Sequence, residues 1–133
     1  MAIENLLIAF GSCLLAFLLL DGIWLGLIAK RFYNEQLGSL KRDKPLWLAA
    51  VIFYLMYIAG VTWLAVLPAI TSGQMADAAK TGALIGFLGY GTYDMTNLAT
   101  VKNWPWKLSV VDWAWGTFLT GVSAAFAYWM VHW

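Results

Sequence analysis

The stretch Gly89–Asn97, which reads Gly-Tyr-Gly-Thr-Tyr-Asp-Met-Thr-Asn, places a carboxylate near the end of an otherwise apolar segment. An ionisable side chain inside a membrane is costly, and those that persist there mark ligand sites and proton or ion paths. That carboxylate is Asp94, and Asp21 and Asp112 occupy comparable positions in two other apolar segments. The three aspartates are therefore the first candidates for a binding site within a membrane.

Aromatic and amide side chains at helical spacing complete the predicted site. At 100° per residue, Tyr90, Tyr93 and Asn97 share an arc of about 100° with Asp94. Phenol and amide groups donate hydrogen bonds to carboxylates, as such a site requires. The predicted binding residues are Asp94, Asn97, Asp21, Asp112, Tyr90, Tyr93, Tyr54, Tyr57, Trp24 and Trp115.

The composition is that of an integral membrane protein. Of the 133 residues, 62% are hydrophobic and 11% are charged, against about 25% charged in a typical soluble domain. Since a spanning helix needs roughly 20 residues, four spans and their loops use almost the whole chain. The sequence therefore predicts one all-α domain over 1–133, an integral membrane four-helix bundle. The expected spans are approximately 5–29, 46–67, 78–100 and 108–131.

The loops between these spans contain the turn signals. Residues 32–44 form a polar stretch, in which a short interfacial helix is expected over 32–40. Pro68 is predicted to end the second helix and to open a loop over 69–77, because proline lacks the N–H that an interior helical position needs. Gly82 and Gly86 have the spacing that lets two helix backbones pack closely.

The distribution of basic residues predicts the orientation. Lysine and arginine are enriched in cytoplasmic loops, and only Lys80 lies on the opposite side from the other seven. Those seven are Lys30, Arg31, Lys41, Arg42, Lys44, Lys102 and Lys107. We therefore expect these loops to be cytoplasmic, both termini to lie outside, and the three aspartates to lie at similar depths in the cytoplasmic leaflet.

Each aspartate also has a structural interpretation. Asp112 lies near the start of a helix, where the dipole favours an anion, and Asp21 could serve as a hydrogen-bond acceptor between helices. Asp94 lies near a helix C-terminus, where the dipole opposes a negative charge. We expect its carboxylate to accept a hydrogen bond from a tyrosine or asparagine and to face a cavity.

The chain has no recognised catalytic motif and no paired cysteine and histidine ligands. The three aspartates with Asn97 offer oxygen ligands of the kind that Mg²⁺ prefers, but their spacing is not diagnostic and no metal site is predicted. Cys13 is the only cysteine, so no intrachain disulfide can form. The net charge of +1 indicates no nucleic-acid partner.

Several motifs together resemble one family. The segment around Asp94 is the most specific, and the resemblance covers nearly the whole chain. The chain is similar to the domain-of-unknown-function 2177 family, small four-span bacterial membrane proteins, which implies this fold and a bacterial inner membrane but assigns no activity. The motifs are Leu20-Asp21-x-x-Trp24-Leu25-Gly26, Phe53-Tyr54-x-x-Tyr57, Pro68-Ala69, Tyr90-Gly91-Thr92-Tyr93-Asp94-x-Thr96-Asn97-x-Ala99-Thr100 and Asp112-x-x-Trp115-Gly116.

The leading hypothesis is a polar, cytoplasm-facing cleft that binds or transports a small cationic or amphipathic molecule. Four spans in one chain can enclose only a small pore, so a homodimer is a further expectation. Two alternatives stay open. In a membrane-embedded enzyme acting on lipid or isoprenoid substrates, the aspartates would serve as a general base or as metal ligands. In a non-catalytic accessory subunit, the polar residues would serve only helix association.

Overall fold

The computed structural model describes residues 2–133 and is helical, with no β-strand among those residues. The predicted all-α class is confirmed. One helix is short and the other four have 26 or 27 residues each. The helices are α1 (Ile3–Ile28), α2 (Lys30–Leu37), α3 (Trp47–Ser72), α4 (Met75–Thr100) and α5 (Trp106–His132).

Two of these helices, α1 and α3, are long and apolar enough to cross a membrane. Large hydrophobic side chains are widely exposed on the outside of the structure, among them Leu7, Leu48 and Trp63 at 63%, 72% and 70% exposure. Extended exposed apolar surface of this kind is characteristic of a membrane or protein contact. The hydrophobic surface thus continues around the outside of the helices.

The prediction that Pro68 ends the second helix is wrong, because α3 continues through it to Ser72. A π-helical turn over Thr62–Val66 immediately precedes the proline. Its wider hydrogen-bonding pattern makes room for the ring, which would otherwise clash with the carbonyl one turn earlier. The helix ends instead at Gly73, whose φ of 76° suits glycine at a helix C-terminus.

The polar stretch after α1 folds as expected into a short helix. It contains α2 and a 3₁₀ turn over Gly38–Leu40. A second π-helical turn, Trp24–Ile28, forms the end of α1 just before it. The chain bends at Ala29, and Tyr33 of α2 contacts the start of α5.

The contact between α4 and α5 is the most extensive in the molecule. It is also the closest, since a Cβ added at Gly86 would lie 2.4 Å from the backbone oxygen of Gly116. A Cβ at Gly82 would lie 2.8 Å from that of Ala124. The close packing that the glycine spacing predicts is confirmed, and it fixes the helices that carry Asp94 and Asp112 against each other.

Candidate functional site

A cleft of about 670 Å³ opens among the five helices. Its lining includes six of the ten predicted binding residues, namely Asp21, Tyr54, Tyr57, Tyr90, Tyr93 and Asp112. Three basic or amide side chains also line it, namely Lys30, Asn34 and Lys41. Tyr33 and several apolar residues complete the wall, so that the cleft combines charges of both signs with an aromatic and apolar surface.

Asp21 is a well-satisfied carboxylate on the buried side of the cleft, with an exposure of 7%. The Tyr54 hydroxyl donates a hydrogen bond of 2.9 Å to its Oδ2. The Trp115 Nε1 donates one of 3.0 Å to its Oδ1. Because hydrogen bonds to an ionised acceptor are stronger than neutral ones, these two donors stabilise a negative charge on Asp21 against the cost of its burial.

Asp112 is held from the other side by α2. The Tyr33 hydroxyl donates a hydrogen bond of 2.8 Å to its Oδ1. The hydroxyl of Tyr33 in turn accepts one of 3.2 Å from Trp24 Nε1. Burial, and then the negative charge of Asp112, raise the pKa of the Tyr33 phenol well above its usual value. The phenol therefore remains a donor to the carboxylate.

The two aspartates are linked behind the cleft by a pair of tryptophans. The rings of Trp24 and Trp115 stack at 4.5 Å with 10° between their planes. Trp24 bonds to Tyr33 and Trp115 bonds to Asp21, so both indoles orient polar groups of the cleft and do not line it. A continuous set of contacts thus runs from α1 and α2 to α5.

Three tyrosine rings form much of the remaining wall. The Tyr57 hydroxyl lies 2.8 Å from Thr120 Oγ1, and its ring lies 6.1 Å from that of Tyr90, edge to face. Tyr90 packs directly over Gly116, where an added Cβ would fall 2.0 Å from the ring. Tyr90 can therefore occupy its position at the cleft only because Gly116 has no side chain.

Asp94 lies outside the cleft wall and is fully buried, with 0% exposure. Within the described part of the chain, neither of its carboxyl oxygens has a hydrogen-bond partner. The prediction that it accepts a bond from a tyrosine or asparagine and faces a cavity is therefore wrong. Because α4 and α5 pack antiparallel with Tyr90 on Gly116, the next turn of each helix places Asp94 opposite Asp112. Asn97 is half-buried, lies beside Tyr93 and is also outside the cleft.

The backbone of Asp94 is fixed more firmly than its side chain. Ser109 donates a hydrogen bond of 2.7 Å from its hydroxyl to the Asp94 carbonyl oxygen. Trp104 Nε1 donates one of 3.0 Å to that hydroxyl. These two bonds tie the beginning of α5 to α4 at the level of the carboxyl pair.

Comparison with protein families identifies the chain. The model of a family described as "Predicted membrane protein (DUF2177)" matches residues 6–129. The chain belongs to the DUF2177 family. The resemblance seen in the sequence is confirmed, and membership supports a location in a membrane. No curated protein and no solved structure matches the chain.

In this DUF2177 protein, sequence reasoning missed the residues that α2 and its flanks supply. Tyr33, Lys30, Asn34 and Lys41 all line the cleft. The sequence predicted a short helix over 32–40 but did not indicate that its residues belong to the site. The bend of the chain after α1, which brings Tyr33 of α2 to Asp112, has no signature in hydrophobic periodicity, so these residues could not be assigned to the site.

Proposed function

We propose that the cleft binds an amphipathic molecule with a zwitterionic head. The positive end of the head lies near Asp21 and Asp112, and the negative end lies near Lys30 and Lys41. The observation that carries the proposal is the presence of both charge signs in one cleft that is otherwise aromatic and apolar.

The buried side of the cleft suits an ammonium group. Asp112 offers a carboxylate at the wall, and the faces of aromatic rings attract cations by about 0.5–2 kcal/mol each. The rings available are those of Tyr54, Tyr57 and Tyr90. Asp21 already receives two hydrogen bonds, so it contributes mainly its negative field.

The exposed side of the cleft suits an anionic group. Lys30 and Lys41 are both exposed and both line the cleft. Lys41 Nζ donates a hydrogen bond to Asn34 and keeps further donors for a ligand. Two lysines at the entrance would repel a simple cation, whereas they would hold the phosphate of a zwitterion. The lysines therefore favour the amphipathic ligand over the small cationic one.

The apolar part of the wall suits a hydrocarbon chain. Leu25, Leu37 and Phe53 line the cleft and are accompanied by Pro45. Hydrocarbon contact of this kind contributes roughly 0.8 kcal/mol per buried methylene. A single-chain phospholipid with an ethanolamine head combines the three features that the wall presents.

The proposed setting is the bacterial inner membrane, with all four long helices crossing it and the basic loops in the cytoplasm. The asymmetry of lysine and arginine supports this orientation. In a Cys13→Ala background, an impermeant thiol reagent added outside should label Gln74→Cys and leave Ser39→Cys unlabelled. The opposite labelling pattern would reverse the topology and place the cleft in the outer leaflet.

Ligand titration of the purified protein by native mass spectrometry tests the function. Lysophosphatidylethanolamine should bind more tightly than lysophosphatidylglycerol, which lacks the amine, and than an alkylammonium of equal chain length, which lacks the phosphate. Asp112→Asn should weaken its binding about tenfold or more, as expected for losing a charged contact. Asp77→Asn, a change at an aspartate outside the cleft, is the control. Equal binding of the three amphiphiles, or wild-type affinity of Asp112→Asn, would contradict the proposal.

A further inference from the structure

The carboxyl groups of Asp94 and Asp112 cannot both be negatively charged without a large energetic cost. Asp94 is fully buried, and within residues 2–133 neither oxygen has a hydrogen-bond partner. A buried carboxylate without a donor is strongly unfavourable. The register of α4 on α5, with Gly86 on Thr120 and Tyr90 on Gly116, places the carboxyl of Asp112 opposite it. That carboxyl is itself an acceptor unless one of the two carries a proton.

The surroundings decide which of the two carries the proton. Asp112 accepts a hydrogen bond from Tyr33 and is only half-buried at the cleft wall. Asp94 has neither that donor nor that access. A negative charge is stabilised where a donor and solvent are available, which is at Asp112.

We propose that Asp94 is a neutral carboxylic acid whose hydroxyl donates a hydrogen bond to Asp112. The pair then holds one proton and one negative charge, and the charge faces the cleft. Asp94 is a positioning residue, since it acts on a ligand only through Asp112. The consequence for ligand binding rests on the proposed function, whereas the proton itself does not.

The other titratable groups around the pair agree with this assignment. Asp21 on α1 adds a second negative charge near Asp112, which opposes a third on Asp94. Tyr33 on α2 donates a hydrogen bond to Asp112, and Tyr90 and Tyr93 on α4 line the cleft with it. From α3, Tyr54 directs its hydroxyl to Asp21. The lysines at the cleft, Lys30 and Lys41, favour charge on the half-buried member of the pair.

Infrared spectroscopy of the full chain in detergent at neutral pH tests the proton. The wild type should show the carbonyl stretch of a protonated carboxylic acid, and labelling aspartate with ¹³C at the carboxyl should shift that band. Asp94→Asn should abolish it, whereas Asp21→Asn and Glu35→Gln should retain it. A wild-type spectrum without a label-sensitive band would overturn the proposal even if Asp94→Asn did not fold. A band that survives in folded Asp94→Asn would also overturn it.

Binding of lysophosphatidylethanolamine separates positioning from a structural role. Asp94→Asn keeps an N–H donor toward Asp112 and should bind within about threefold of wild type, whereas Asp94→Leu has no donor and should bind about tenfold more weakly. Equal binding by folded Asp94→Leu and wild type would overturn the positioning role. If wild type does not bind the lipid, the proposed function fails, and the infrared result alone decides the state of Asp94.

Discussion

Asp21 and Asp94 are both buried carboxyls in apolar helices, yet they differ in the hydrogen-bond donors around them. Asp21 borders the cleft and receives a donor on each oxygen, from Tyr54 and Trp115. Asp94 lies in the contact between α4 and α5, where its carboxyl has no donor among the described residues. Burial alone therefore does not tell whether an aspartate in an apolar helix is charged, because the donors around it decide.

The packing of the two regions explains the difference. Glycines bring α4 and α5 so close that no space is left around Asp94, which has 0% exposure. On the other side, the cleft is bordered by Tyr54 and Tyr57 of α3 and Tyr90 of α4, and Asp21 keeps some exposure. The first region excludes water and favours a neutral acid, and the second admits polar partners and favours an anion.

The largest expected effect comes from opening the close contact. In Gly86→Ala, the new methyl would lie 2.4 Å from a backbone oxygen of Gly116, and the helices must separate. We expect a loss of about 3 kcal/mol in the free energy of unfolding, at the upper end for overpacking. Denaturation in detergent would measure it. Gly11→Ala, where nothing lies within 4 Å, is the matched control, and equal stability of the two variants would show that the contact is not tight.

A smaller loss is expected when the satisfied carboxylate is removed. Asp21→Leu leaves the Tyr54 hydroxyl and the Trp115 indole N–H without their acceptor. Leaving two buried donors unpaired should lower the free energy of unfolding by about 2–3 kcal/mol. Adding Tyr54→Phe to Asp21→Leu should recover part of that loss, since one unpaired donor is then absent. No recovery in the double variant would argue against the hydrogen bond.

The smallest change in stability is expected at Asp94. Asp94→Leu removes a carboxyl that receives no donor and leaves Asp112 with its bond from Tyr33. The free energy of unfolding should stay within about 1 kcal/mol of wild type, because losing the proposed hydrogen bond to Asp112 is offset by removing a buried carboxyl that receives no donor. A loss as large as that of Asp21→Leu would remove the contrast between the two sites.

The sequence predicted the helical class and the close packing at Gly82 and Gly86, because hydrophobic run lengths and small-residue spacing are local properties. It misplaced the end of α3, since the π-helical turn that accommodates Pro68 depends on hydrogen bonding that no composition rule anticipates. The position of Asp94 in an apolar segment was readable from the sequence. Its lack of a donor was not, because that depends on the register in which α5 packs on α4.

The same limit applies to the cleft. Asp21 was selected as an ionisable side chain in an apolar segment, and Tyr90 because it shares a helical face with Asp94. The structure brings both to one cavity with Tyr54. Tyr33 and Lys41 come from a segment that periodicity describes only as a polar connection. Residues that a bend in the chain brings to a site show no hydrophobic periodicity in the sequence. The proposed recognition of an anionic group could therefore be inferred only from the structure.

The state of the aspartates can be measured directly by ¹³C NMR of the protein labelled at the aspartate carboxyl carbon, at neutral pH in detergent. The chain has five aspartates, and Asp21→Asn and Asp94→Asn assign the two signals of interest. The account predicts that Asp21 resonates in the ionised range, while Asp94 resonates apart from it in the protonated range. Finding Asp94 with the ionised carboxylates, or Asp21 with the protonated ones, would contradict it.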